Sequence, residues 1–398
     1  MPLKNILKQS SKNSNIRLKL KKRNCPVCNS NKKTKILNIY NWKKMDSNGN
    51  IFTIDKKYCL CSNCNLVYTN PTVDPKIFDK LYTNSIVGSF FNHKNSKNII
   101  KLDKFDQLVG KYLDKTKKVL EIGCGSGVLL KHLNKKYKIK NLNLLGLEPS
   151  NEIFKTFKSN KNFKIINKFL DKFITKKKFD LIIMDNVFEH FEYPKKSLKK
   201  IFQLLNKSGI IYIAIPDTEN IKTIQDDPFN HTCNYNYNNI NILLNNSKFK
   251  ILNKKQSFQQ INLVAKKSLT SYKKFKVEKK FKKKLHFKIN LIKLSLEKIY
   301  KKIEKIRKQI ISENKKIVFF GAGNYALWIL DLLKINNYIK YGVDNNFIYQ
   351  NKIRNNFKIL HPKKLIDNDY DCILILSGTY KKDIKNQMLK MKINRNKI

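Results

Sequence analysis

Apolar residues in this chain gather into short runs separated by amphipathic stretches, the pattern of strands alternating with helices in a wound α/β sheet. Val119–Ile122 is such a run; it enters the turn Gly123-Cys124-Gly125-Ser126-Gly127, and the spacing over 128–134 predicts a helix directly behind it. A second short strand is predicted over Leu144-Leu145-Gly146-Leu147 and a third over Phe179-Asp180-Leu181-Ile182-Ile183-Met184-Asp185. Helical spacing over 197–205, a turn at Lys207-Ser208-Gly209 and a strand over 210–216 continue the alternation. The plan starts again at Ile317-Val318-Phe319-Phe320, which runs into Gly321-Ala322-Gly323 and another helix-like segment. Two α/β domains of doubly wound type are therefore expected in one chain.

The first glycine turn carries the chemistry. Glycine lets the backbone adopt positive φ and approach a ligand closely, and the helix behind the turn supplies free N–H groups at its start. Glu148 ends the second strand, 27 positions after Glu121 (148 − 121), where an acid can hold two ribose hydroxyls. Asp185 and Asn186 close the third strand, at the edge where open α/β sheets bind their ligands. The glycine spacing and the acid before the first glycine depart from the dinucleotide form G-x-G-x-x-G. Glu121-Ile122-Gly123-Cys124-Gly125-Ser126-Gly127, E-x-G-x-G-x-G after an apolar strand, resembles motif I of class I S-adenosylmethionine (SAM) methyltransferases. That resemblance implies that Glu121, Gly123, Gly125, Gly127, Glu148, Asp185 and Asn186 bind SAM. A Rossmann-like domain without methyl transfer is the alternative.

At 398 residues the chain has room for two or three domains, and 41% hydrophobic residues support a globular protein. No apolar run approaches the roughly 20 residues of a membrane span, and residues 1–22 are basic without an apolar core, so a frayed tail on a cytoplasmic protein is expected. The formal charge of +54 would suit nucleic acid. Its lysines, however, are spread through nearly every segment, with few arginines, as in a compositional drift rather than one binding patch. Five of the eight cysteines lie before residue 65. Cys25-Pro26-Val27-Cys28 and Cys61-Ser62-Asn63-Cys64 are two C-x-x-C knuckles, the arrangement of a structural zinc site, with a hairpin expected around 46–50 to bring them together and Cys59 left as a spare. Disulfides or a metal-free knuckle are the alternatives. With four sulfur ligands, such an ion would stabilise the fold without activating water. Cys124 in the glycine turn is read as packing.

A zinc-binding N-terminus, a methyltransferase core and a C-terminal α/β domain together are similar to sugar C-methyltransferases acting on nucleotide-linked deoxysugars. Cys61-Ser62-Asn63-Cys64-Asn65-Leu66-Val67 followed by Thr72-Val73-Asp74-Pro75 and by Phe78 to Tyr82 carries the resemblance through the N-terminal part. It implies that Tyr82 touches substrate; a tyrosine packed at a domain junction is the other reading. In place of the family's tyrosine-histidine-glutamate-histidine signature stands Asp227-Pro228-Phe229-Asn230-His231, in which only His231 matches. By resemblance His231 is the general base, with Tyr82 and Tyr235 as orienting hydroxyls. The substrate implied is a small molecule, a nucleotide-linked sugar methylated at carbon or oxygen. An RNA or other base methyltransferase and a SAM-binding protein without turnover are the competing functions.

From about Lys266 the sequence reads as a lysine-rich helix, with Leu285, Ile289, Ile292, Leu296, Ile299, Ile303, Ile306 and Ile310 on one stripe. A connector docked on its neighbours fits better than a membrane-surface or coiled-coil helix. Asp344 follows Gly321 by 23 positions (344 − 321), giving a second Rossmann-like half whose G-x-G-x-x-A turn is weak evidence for a dinucleotide. The domains expected are a basic tail over 1–22, a zinc-binding domain over 23–85, the methyltransferase over 86–265, a helical connector over 266–312 and a Rossmann-like α/β domain over 313–398.

Overall fold

The structure is a computed structural model, and it describes residues 15–46, 50–84, 96–157, 161–220, 231–257, 260–268, 279–347, 349–354, 356–377 and 380–398. The N-terminal part holds strands β1 (Asn15–Arg17), β2 (Leu20–Lys21), β3 (Lys33–Met45), β4 (Ile51–Cys61), β5 (Val67–Thr69) and β6 (Thr72–Val73) and helix α1 (Pro75–Thr83). The expected hairpin is the long antiparallel pair β3–β4, whose turn at 47–49 lies outside the described residues. The expected frayed tail is corrected in part. β1 runs parallel to β4 and β2 pairs with β6, so residues 15–21 are built into the fold, whereas 1–14 lie outside the described residues.

The central part contains α2 (Ser96–Val109), β7 (Val119–Ile122), α3 (Val128–Tyr137), β8 (Leu144–Leu147), α4 (Asn151–Phe157), β9 (Lys164–Ile166), β10 (Phe179–Asp185), α5 (Pro194–Leu204), β11 (Leu205–Pro216), β12 (Cys233–Asn234), α6 (Tyr237–Asn246), β13 (Phe249–Ser257) and β14 (Gln260–Lys267). Seven of these strands form one sheet in the order β13-β14-β11-β10-β7-β8-β9. β7 to β11 pair in parallel, and β14 runs against both of its neighbours. The turn expected at 207–209 is a bulge inside β11: Phe179 faces Leu205 while Leu181 faces Ile210, so the extra residues loop out of register.

Strand alternation divides the core. Val119, Leu181, Ile183 and Tyr212 point to the side of α2 and α3, where Phe105, Leu108, Leu129 and Leu130 cover them. Leu120, Ile122, Ile182, Met184, Ile211 and Ile213 point to the other side, against Leu198, Ile201 and Ile240 of α5 and α6 and against Cys25, Cys61, Leu66 and Tyr68 of the N-terminal part. The cysteine knuckles are thus packed into the core of the seven-stranded sheet, and β12 adds to the N-terminal sheet by pairing with β5.

The last part holds α7 (Lys279–Ser312), β15 (Ile317–Phe320), α8 (Asn324–Leu333), β16 (Ile339–Val343), β17 (Ile353–Arg354), β18 (Phe357–Leu360), β19 (Cys372–Ile375) and α9 (Lys381–Lys390), with sheet order β17-β18-β16-β15-β19. Ile289, Leu296, Ile303 and Ile310 of α7 are buried against this domain, as a docked connector requires, while the side chain of Leu285 lies outside the described residues. Lys266 and Lys267 belong to β14 rather than to the helix, which corrects the start of the connector. The same core takes in Ile36, Ile39, Trp42, Ile54 and Tyr58 of the hairpin. Trp42 and Trp328 lie 4.9 Å apart, and Trp328 Nε1 donates to Tyr40 O at 3.0 Å. The described residues of 23–85 therefore form no independent core: their knuckle end packs with one α/β domain and their hairpin end with the other.

Candidate functional site

The strand-turn-helix at β7–α3 has the backbone its glycines predict. Gly123, Gly125 and Gly127 all take positive φ, at 67°, 52° and 69°. A Cβ on Gly123 would lie 2.5 Å from Val187 and one on Gly127 2.1 Å from Phe163, whereas Gly125 has open space where a Cβ would stand. The turn is tied to β8: the N–H groups of Gly123 and Cys124 donate to Leu147 O at 2.7 and 3.0 Å. Glu148 accepts from Gly125 N at 3.0 Å and from Ser150 N at 2.9 Å, so the acid at the end of β8 also shapes the turn. Cys124 packs as expected; a Cβ on Gly146 would collide with its Sγ at 2.4 Å.

Buried carboxylates surround this turn. Burial pushes Glu121 up to about 8 and Glu148 up to about 6. Oε2 of Glu121 is buried and has no hydrogen-bond partner among the described residues. Asp185 pairs with Lys101 of α2, a residue the sequence reading did not single out because its partner is 84 positions away (185 − 101). Asn186 sits at φ 54° and donates from Nδ2 to Asp185 Oδ1 at 3.1 Å. An open, glycine-lined turn beside a buried carboxyl oxygen with no partner, a group that would ionise against a cation, fits a cofactor carrying an ammonium and a sulfonium charge. Glu121, Glu148, Asp185, Asn186 and the three glycines are the residues that could hold such a cofactor.

Beside the turn lies a cavity of about 620 Å³. Ile122, Gly123, Leu147 and Val187 line it together with Phe169 and with Phe78 and Tyr82 of α1. Tyr82 therefore faces the cavity from the N-terminal part, its ring 6.2 Å from those of both Phe169 and His190.

His231, read from the sequence as a base without partners, has one. Its Nε2 lies 3.5 Å from Glu189 Oε1, and both side chains are buried. His190, which lines the cavity, has its ring 4.9 Å from that of His231. Burial, then His190 and Lys56, hold His231 well below its ordinary range, and burial lifts Glu189 to about 8. At neutral pH the imidazole is therefore free of its proton, and the carboxyl beside it largely keeps its own. The partners of His231 thus come from Glu189-His190 after β10 rather than from its own loop; residues 221–230, including Asp227 to Asn230, lie outside the described residues. Tyr235 does not reach the cavity: it is buried against Phe188 at 5.5 Å, which removes it as an orienting hydroxyl.

The four thiols of Cys25, Cys28, Cys61 and Cys64 lie within 4.8 Å of one another, with Sγ–Sγ distances of 3.5 Å for Cys25–Cys64 and 3.4 Å for Cys28–Cys61. A tetrahedral zinc with bonds of about 2.3 Å has sulfur–sulfur edges of about 3.8 Å, so the donor set fits that ion. Each knuckle closes on an asparagine at positive φ, Asn29 at 63° and Asn65 at 54°. Cys59 stands outside the group, its Sγ 3.7 Å from Asn70 O. In the C-terminal domain Asp344 accepts from Ala322 N and from Asn346 N, both at 2.7 Å, and Arg354 Nε donates to Ala322 O at 2.8 Å. Gly378 and Thr379, at the end of β19, lie outside the described residues.

Residues 91–258 match the family described as a methyltransferase domain, and residues 313–398 match one described as C2185-like, N-terminal. No curated protein matches. Among solved structures, an S-adenosylmethionine-dependent methyltransferase from Clostridium acetobutylicum ATCC 824 is 16% identical, covering 49% of this chain and 99% of that one, with a TM-score of 0.34. The magnesium protoporphyrin IX methyltransferase from Synechocystis PCC 6803 with bound SAM is 16% identical over 50% of this chain and 100% of that one, with a TM-score of 0.35. The plantazolicin methyltransferase in complex with a pentazolic analog and SAH is 16% identical over 43% and 90%, with a TM-score of 0.34. No helix among the described residues is long and apolar enough to cross a membrane. The family match, the sheet order and the glycine turn with its acids identify the central part of this chain as a class I SAM-dependent methyltransferase domain, and the protein as a methyltransferase enzyme.

Proposed function

We propose that this enzyme methylates a sugar, carried as a nucleotide-linked deoxysugar, at a carbon next to a ketone or at a hydroxyl, with His231 as general base. The observation that carries the reading is the buried His231–Glu189 pair behind a cavity of about 620 Å³ that opens on the SAM turn. SAM, when bound, supplies an activated methyl group on its sulfonium. What remains for the protein is alignment and removal of one proton from the acceptor. His231 accepts that proton, and Tyr82, which lines the cavity, orients the acceptor. A cavity of this size suits a small molecule. Lys168, Lys196, Lys199 and Lys200 outnumber Asp79, Asp171 and Glu192 among its lining residues, which favours an acceptor that carries phosphate.

The four-cysteine group is proposed to hold a structural zinc, and the C-terminal domain to cover the nucleotide end of the substrate. The test is mass spectrometry of nucleotide sugars incubated with the enzyme and SAM. Gain of 14 mass units, about one CH2, on a sugar supports the reading, and His231→Ala should cut that turnover strongly with SAM affinity nearly unchanged. The charge of +54 favours one other reading, an RNA methyltransferase. Tight RNA binding that falls steeply with salt, with methyl groups on RNA and on no sugar, would establish it instead.

A further inference from the structure

Arginine is scarce in this chain. Of its 83 basic residues only five are arginines, at 17, 23, 307, 354 and 395. Arg23, two residues before the first cysteine, uses its guanidinium in a way lysine cannot. Its Nε donates to Thr69 O at 3.0 Å, Nη1 to Glu192 O at 3.1 Å, and Nη2 to Thr232 O at 2.7 Å, while Nη1 also pairs with Glu192 Oε1 at 2.9 Å. The Arg23 side chain is 9% exposed and that of Glu192 13%, so water screens the group little. Asn70 fixes its backbone from both sides, accepting from Arg23 N at 3.2 Å and donating to Arg23 O at 2.7 Å.

Each acceptor belongs to a segment that matters to the site. Thr232 is the neighbour of His231, and Glu192 lies three residues after Glu189. The two segments touch where Thr232 N donates to Glu189 O at 3.1 Å. Thr69 ends β5, the strand that pairs with β12. The fork therefore joins the backbone carrying His231 and the backbone carrying Glu189 to the knuckle-bearing N-terminal part.

We propose that Arg23 is the positioning residue of the His231–Glu189 pair. It touches neither cofactor nor cavity and acts by holding the peptides next to those two side chains. This rests on the reading of His231 as base. A shift of a few tenths of an ångström in either segment changes the 3.5 Å separation and the aim of the imidazole, and misplacement of about 1 Å is enough to cost on the order of a hundredfold in rate. Lysine at this position keeps the charge, but its N–H donors all sit on one nitrogen and cannot span the four acceptor atoms the planar fork reaches.

The test uses the full chain labelled with nitrogen-15 in its six histidines, with the His231 ring signals identified by their loss in His231→Gln. Arg23→Lys and Arg23→Met are compared with the unsubstituted protein, and thermal unfolding and SAH affinity show that each variant is folded. The His231 ring signals should move in both variants, further in Arg23→Met. Turnover of a nucleoside-diphosphate-linked keto-deoxysugar should fall about ten- to a hundredfold, with KM for SAM within about twofold. Unmoved His231 signals in folded Arg23→Lys and Arg23→Met would overturn the positioning role, whatever the substrate. Shifted signals together with full turnover in His231→Gln would instead overturn the reading of His231 as base, and the two failures are thereby separate.

Discussion

Replacing Gly127 with alanine tests the glycine turn at its tightest point. Gly127 precedes α3 at φ +69°, and its added Cβ would stand 2.1 Å from Cζ of Phe163, a side chain only 3% exposed. Two costs follow. Left-handed backbone costs an L-residue about 1–2 kcal/mol, and forcing a methyl group into a filled core costs about 1–3 kcal/mol. Together they amount to about 2–5 kcal/mol. For a domain of this size each kcal/mol lowers Tm by about 2–4 °C, so calorimetry should show a fall of roughly 4–20 °C. Phe163→Leu removes the collision but not the dihedral cost, so in that background Gly127→Ala should cost only about 1–2 kcal/mol. SAH titration should show weakened binding in Gly127→Ala if the turn holds the cofactor as proposed, because relief of the collision moves it. A Tm shift under about 2 °C, or the same cost with and without Phe163, would refute the reasoning.

Glu121, held up to about 8 by burial, keeps its proton at neutral pH in the free protein, whereas in the unfolded chain it ionises near 4.5. Between those two values the folded state binds the extra proton, so this group's contribution to stability falls as pH rises through that window. A cationic ligand reverses the preference: SAM binding should release protons near pH 7 and strengthen toward pH 8, as isothermal titration in buffers of different ionisation enthalpy will measure, and Glu121→Gln should reduce the release. Equal release in Glu121→Gln would exclude this carboxylate as the source. Metal analysis should find one zinc per chain, lost in a Cys61→Ser, Cys64→Ser double variant. Because the knuckles share a core with Met184 and Ile213 of the sheet, a strong chelator should lower the Tm of the methyltransferase domain itself; a chelator that strips the metal and leaves that transition unmoved would contradict the shared core.

The sequence by itself determined what is local. A strand entering Gly123 to Gly127 must turn sharply there, because the left-handed φ of all three glycines is open to few other residues. The acids at Glu148 and Asp185 follow from the ends of short apolar strands, and the docked face of α7 from the steps between Ile289, Leu296, Ile303 and Ile310. The C-x-x-C pairs likewise declared their four thiols before any geometry was known, since each knuckle is five residues long and closes on its own asparagine.

Only the tertiary structure decided which distant groups meet. His231 lacks the expected neighbours in its own loop, and its partner Glu189 comes from 42 positions earlier (231 − 189), after a different strand of the sheet. Lys101 against Asp185 and Arg23 against Thr232 are likewise pairs made by folding, carrying no periodic or spacing signal in the chain. The N-terminal residues were legible as a four-cysteine cluster but not as a bridge. Strand alternation shows which side chains a hairpin buries and leaves open what covers them, and here one end lies on the methyltransferase sheet and the other on the C-terminal domain. Local covalent geometry and hydrophobic period are written into neighbouring residues, whereas electrostatic partners and shared cores depend on packing between segments far apart in the chain.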